Sequence, residues 1–189
     1  MKVLVTGHNG YIGSVMVRME QAAGHDVVGL DTYFFEDCTL GPPTPDVPAQ
    51  RLDLRDVEPA HLGGLDAIIH LAALSNDPIG NLNSDWTDDI NLRGSIRLAE
   101  LAREAGVRRF LFSTSCIMYG LSDAPSVHED SPLDPRTDYA RSKVEAERAI
   151  AALAADGFSP TFLRNGTVSG LSPPTSTACV VPKRTPSMS

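Results

Sequence analysis

No run of apolar residues in this chain approaches the roughly eighteen needed to cross a bilayer, which excludes a helical membrane span. No cationic leader precedes the first apolar segment, so the expected compartment is the cytoplasm. Positive charge is scarce: 16 Lys and Arg stand against 24 Asp and Glu, a net charge of -8, and no cluster of cations offers a face that could track a phosphate backbone. Nucleic acid is therefore not an expected partner, and a small anionic ligand would have to be held by local dipoles and individual residues. Cysteine is limited to Cys38, Cys116 and Cys179, odd in number and widely spaced, with no second ligand at metal spacing. The expectation is three reduced thiols and no metal site. What is present suffices for one core: 189 residues with 42% hydrophobic content form one domain, and two would be cramped.

The rest of the chain is organised around residues 1–31. Lys2-Val3-Leu4-Val5-Thr6 is a short β-rich run that stops at Gly7-His8-Asn9-Gly10-Tyr11-Ile12-Gly13, and an amphipathic segment opens at Ser14. A second apolar run, Val27 to Leu30, ends on Asp31, about twenty residues past the loop, as in a dinucleotide-binding strand–helix–strand unit. Gly7 allows the tight turn, Gly10 lets backbone amides approach a pyrophosphate, and Gly13 lets the helix pack closely. The phosphates would meet the positive end of the helix dipole. Asn9, Tyr11 and Ile12 line the same loop. Asp31 can accept from both ribose hydroxyls and would repel a 2′-phosphate, and no Arg or Lys follows it before Arg51. The expected cofactor is NAD rather than NADP.

Beyond Asp31, strands alternate regularly with helical patterns, which implies right-handed crossovers. The expected fold is α/β, a Rossmann-type doubly wound parallel sheet with helices on both faces. After an irregular stretch over 32–48, a short third strand is expected at 50–52, closed by Asp53-Leu54-Arg55-Asp56. Asp53 is either a carboxylate for the adenine amino group or an N-cap. A fourth, fully apolar strand at 66–71 carries His70, read as a core histidine, and leads to Leu71, Ala72 and Ala73, small enough at the last two for a cofactor to lie against. A loop over 74–83 precedes a long helix to about Glu104, capped by Ser84 or Asp85 and ended by Gly106 at a C-cap position. Asn91 within it either bonds inward or is an ordinary polar position. A fifth strand at 108–112 delivers Ser113-Thr114-Ser115 at its carboxyl end, where open parallel sheets bind ligands. A loop over 121–136, a helix over 137–155 and a sixth strand around 162–164 follow.

Tyr139 and Lys143 are four residues apart, one helical turn on the same side. A phenol with a pKa near 10 is a poor base at neutral pH, and an adjacent ammonium favours its phenolate. Ser115 could then hold a substrate oxygen while Tyr139 moves the proton.

These motifs together resemble the extended short-chain dehydrogenase/reductase family, in its nucleotide-sugar epimerase/dehydratase group. The resemblance covers about residues 1–170 and rests on Gly7/Gly10/Gly13, Asp31, 53–56, 71–73, 113–115 with Tyr119-Gly120, Tyr139-Ala140-Arg141-Ser142-Lys143 and Leu163-Arg164-Asn165. It implies Tyr139 as general acid/base, Lys143 as the ribose-holding residue and Ser115 as its hydroxyl partner. The implied reaction is transient hydride removal from a nucleotide-sugar by tightly held NAD. Sugar 4,6-dehydratases of this group carry an Asp-Glu pair where this chain has Cys116 and Ile117, so an epimerase, reductase or decarboxylase is expected instead. The resemblance also implies a homodimer through a four-helix bundle. Family members continue well past the Leu-Arg segment with a substrate domain, whereas here residues 171–189 are rich in Pro, Ser and Thr. The expected organisation is an NAD-binding domain over 1–170, a loosely ordered tail, and a C-terminal substrate domain largely absent. A non-catalytic NAD(H)-binding module and an inactive truncated family member are the other readings.

Overall fold

The computed structural model describes residues 1–34, 36, 46–75, 83–121 and 126–170. Cys38, Cys179, parts of the expected loops and the tail at 171–189 lie outside them. Six strands, β1 (Lys2–Thr6), β2 (Asp26–Asp31), β3 (Ala49–Arg51), β4 (Ala67–His70), β5 (Arg109–Ser115) and β6 (Ser159–Asn165), form one sheet in the order β3-β2-β1-β4-β5-β6. Every pairing is parallel. The order reverses between β1 and β4, and the crevice above that point is where such sheets hold ligands.

Alternation along the strands sorts the core into two layers. Leu4, Leu30, Ile68, Phe110 and Phe112 face one way, against Leu98, Ala99 and Ala102 of α3 (Ser95–Glu104) and Ala146 and Ile150 of α4 (Asp138–Ala151). Val3, Val5, Val27, Ala67 and Ile69 face the other way, with Val17 of α1 (Gly13–Ala22). β4 is buried along its whole length, as a central parallel strand covered on both faces must be.

The expected long helix is continuous but not uniform. α2 (Ser84–Thr87) passes through a π-helical segment, Asp88–Gly94, into α3, with helical dihedrals at both junctions. Neither Ser84 nor Asp85 is its cap. Asn83, in extended conformation, accepts from the Asp85 amide at 2.9 Å, so the amide-bearing residue just before the helix takes the role. At the other end Ala105 is the cap, and Gly106 supplies the left-handed residue that follows it, φ 79°. α4 is shorter than expected, with Thr137 Oγ1 accepting from the Ala140 amide at 3.1 Å. Among the described residues no helix is long and apolar enough to cross a membrane.

Candidate active site

The glycine loop closes at the crossover point itself. Gly7 has φ 70°, and a Cβ there would sit 2.9 Å from the Ala72 amide nitrogen, so β1 and β4 exit in backbone contact. A Cβ on Gly13 would fall 2.1 Å from the Gly7 carbonyl oxygen, which explains why the first turn of α1 can fold back onto the loop. That turn carries no acidic residue, and its Ser14, Val15 and Met16 amides bond back to the Gly10 and Ile12 carbonyls. The positive end of α1 is uncompensated by any charge in its own first turn.

Asp31, at the end of β2, is drawn to this loop. Its Oδ2 accepts from the Asn9 amide at 3.0 Å and its Oδ1 from the Tyr33 amide at 2.8 Å. Tyr11 turns outward from the loop, its hydroxyl donating to the Gly170 carbonyl at 2.6 Å, and Ile12 caps α1 without a side-chain bond. Of the two roles open for Asp53, the cap is formed: its carboxylate accepts from the Arg55 amide at 2.9 Å and from Arg55 Nε and Nη2 at 2.9 and 2.8 Å. Leu54 buries its side chain in the core. Leu71, Ala72 and Ala73 stay half-buried beside Gly7.

Thr6, His70 and Ser95 hold that junction from beneath. The Thr6 hydroxyl accepts from the Leu71 and Ala72 amides at 3.2 and 3.3 Å, the first of these shared with the Thr6 carbonyl. With both lone pairs engaged, its one proton goes to His70 Nδ1 at 2.7 Å. The ring proton of His70 is then on Nε2, which donates to Ser95 Oγ at 2.9 Å. Burial, and secondarily the charge of Lys143, push His70 down to about 3, as a neutral core histidine requires. Replacing Thr6 with Val keeps the shape and removes all three hydroxyl bonds. The expected loss is about 1–3 kcal/mol, read as a lower denaturation midpoint at unchanged m-value.

On the other side of the crevice, β5 ends in Ser113-Thr114-Ser115 and α4 brings Tyr139 and Lys143 over it. Lys143 is 2% exposed. Its Nζ donates to the Ser113 carbonyl at 2.9 Å, lies 4.5 Å from the Phe112 ring centre and 5.8 Å from that of Tyr139. Burial pushes Lys143 down to about 7, so ammonium and amine coexist at neutral pH. Ser113 Oγ accepts from Asn165 Nδ2 at 2.9 Å, and Ser115 Oγ receives a long bond from the Ile117 amide at 3.4 Å. Cys116 is exposed and Ile117 half-buried beside it.

Two supports tie this half of the site to its surroundings. Asn91, fully buried in the π-helical segment, grips the Leu74 backbone at both ends, 2.8 Å to the amide and 2.9 Å to the carbonyl, which settles its role as inward-bonding. Arg164 pairs with Glu147 of α4 and donates to the Tyr119 hydroxyl at 2.9 Å and the Glu129 carbonyl at 2.6 Å. The Glu147 carboxylate, with the Tyr119 hydroxyl, holds the Arg164 guanidinium well above its ordinary range. Thr6 is marked in the sequence by its place just before the glycine turn, whereas nothing local marks Ser95.

The chain matches the NAD dependent epimerase/dehydratase family over residues 3–187. It is 33% identical over 175 residues to the UDP-glucose 4-epimerase of Corynebacterium glutamicum, covering 90% of this chain and 52% of that protein. Among solved structures, the UDP-glucose-4-epimerase from Stenotrophomonas maltophila with bound NAD and formylated UDP-arabinopyranose superposes with a TM-score of 0.78 at 34% identity, over 87% of this chain and 52% of the other. The dTDP-glucose 4,6-dehydratase from Streptomyces venezuelae with NAD bound gives 0.76 at 29% identity, over 87% and 55%. The chain thus spans about half the length of the relatives it matches.

Proposed function

Because this chain belongs to the NAD-dependent epimerase/dehydratase family, we propose that it carries the NAD-binding and proton-transfer half of a nucleotide-sugar epimerase, acting at C4 of a UDP-hexose. The observation that carries the reading is the meeting of two independent sets at one sheet edge: the Gly7–Gly13 loop with Asp31 on one side of the crossover, Ser115, Tyr139 and Lys143 on the other.

The residues present fit a dinucleotide. Gly7 and Gly13 stand where a Cβ would collide with backbone, α1 opens with no acid in its first turn, and Asp31 presents a carboxylate beside the loop. Loop amides from 11 to 13 would hold the pyrophosphate, Asp31 the adenosine ribose, Asp53 and Leu54 the adenine, and Ala72 and Ala73 the flat surface between. Bound NAD supplies an acceptor, and then a donor, of hydride. Tyr139 takes the proton of the sugar hydroxyl and later returns it, while the Ser115 hydroxyl holds the sugar oxygen. Lys143 serves the ribose hydroxyls, with the Ser113 carbonyl as its resting partner.

Ile117 stands in one of the two positions that a 4,6-dehydratase gives to a proton-transferring carboxyl group, and an alkyl side chain transfers none. Epimerisation or simple oxidoreduction is therefore favoured over dehydration. Dimerisation through the long helix carrying Asn91 and through α4 belongs to the same reading. Incubating the protein with NAD and UDP-glucose and following the C4 configuration by NMR tests the proposal. Appearance of UDP-galactose is expected. Tight NAD binding with no change at C4 would replace it by a non-catalytic dinucleotide-binding module.

A further inference from the structure

Asp31 accounts for a preference against a 2′-phosphate only if no cation nearby can receive one. Arg51 is such a cation. It is paired in register with Asp31 on the adjoining strand, which places the two backbones about 4.8 Å apart. Its guanidinium lies 4.5 Å over the ring of Tyr33, whose own amide is bonded to Asp31. In Rossmann sheets an arginine beside the ribose is what accommodates the 2′-phosphate of NADP.

The structure engages Arg51 elsewhere. Nη1 donates to Glu36 Oε1 at 3.2 Å and Nη2 bonds Glu36 Oε2, a two-point fork that fills the face a phosphate would use. Each Asp31 oxygen accepts one backbone amide and keeps a second lone pair, the acceptor left for a ribose hydroxyl. Tyr33, which forms the bed of the stack, is the one described non-glycine residue with positive φ, 59°, a conformation that costs an L-residue on the order of 1 kcal/mol. Its hydroxyl meets His8 Nε2 at 3.1 Å, so both ends of the residue are fixed against the loop.

We propose that Glu36 is a specificity-determining residue: by occupying Arg51 it withholds the cation that would otherwise accept the 2′-phosphate of NADP. This inference rests on the reading of Asp31 as the ribose anchor. The side chains of Arg51 and Glu36 are 60% and 43% exposed, and an exposed ion pair shifts an affinity by at most roughly fivefold. The latch is therefore weak, and neutralising Glu36 is enough to open it.

Calorimetric titration of NAD and NADP into the wild-type protein, Glu36→Gln and Glu36→Gln/Arg51→Gln tests it. Glu36→Gln is expected to bind NADP about fivefold tighter with NAD affinity unchanged, and the double variant to lose that gain. Unchanged NADP affinity in Glu36→Gln overturns the inference, as does a gain that persists in the double variant, since removal of a repelling carboxylate would then be the cause. A wild-type protein that binds neither dinucleotide overturns the ribose-anchor reading as well, whereas one that binds NAD with no response to Glu36→Gln overturns the latch alone.

Discussion

Replacing Tyr139 with Phe is expected to lower turnover about 10²- to 10⁴-fold while NAD affinity stays unchanged, the range over which one positioned acid/base acts. The change deletes a single oxygen and keeps the ring that α4 sets near Lys143, 5.8 Å from its Nζ. The groups that would hold the pyrophosphate and the adenosine ribose lie on the other side of the crevice, in the Gly7–Gly13 loop and at Asp31. A drop in kcat without a change in Kd for NAD is the signature of a proton-transfer group. Equal turnover in the variant would remove Tyr139 from the chemistry, and a parallel loss of NAD affinity would make it a binding residue.

Replacing Lys143 with Met is expected to inactivate the protein and at the same time stabilise it at pH 7 and below. The side chain is 2% exposed, and burial brings its pKa from 10.5 down to about 7. Between those values the unfolded chain holds a proton that the folded chain has released, so stability rises with pH through this window, by about 1.4 kcal/mol per unit. Below pH 7 the folded protein carries the full cost of a buried ammonium. Met carries none of it, but loses the bond to the Ser113 carbonyl and the contact with Phe112, together about 1–2 kcal/mol. The net gain is expected to be on the order of 2–4 kcal/mol at pH 6 and to fall steadily between pH 7 and 10. Urea titrations of both proteins across that range measure it. An advantage that does not change with pH would mean that the folded lysine keeps an ordinary pKa. The same burial keeps His70, stacked on Phe112, neutral.

Features set by local rules were legible in the sequence. The three glycines, Asp31 about twenty residues on, and Tyr139 with Lys143 one turn apart are patterns of spacing, and spacing along a strand or helix fixes which face a residue takes. The fully apolar run at 67–70 announced a buried parallel strand for the same reason. Features made by contacts between distant elements were not legible. Thr6 meets His70 across 64 residues and His70 meets Ser95 across 25, and neither bond leaves a local mark. The π-helical turn over Asp88–Gly94 keeps α-like dihedrals at its ends and was read as ordinary helix. Asn83 was passed over as cap because Ser84 and Asp85 are equally good capping residues, and which one serves depends on where the chain leaves its extended conformation. Lys143 was correctly placed beside Tyr139, but its altered charge state follows from the depth of the core around it, which spacing alone does not report.

A crystal structure of this protein soaked with NAD tests the central claim most directly. The account predicts the pyrophosphate against the amides of the Gly7–Gly13 loop, the adenosine ribose on Asp31, and the nicotinamide ring between Ser115 and Tyr139 with Lys143 on its ribose. A dinucleotide bound away from that crossover, or a nicotinamide ring out of reach of the Tyr139 hydroxyl, would contradict it.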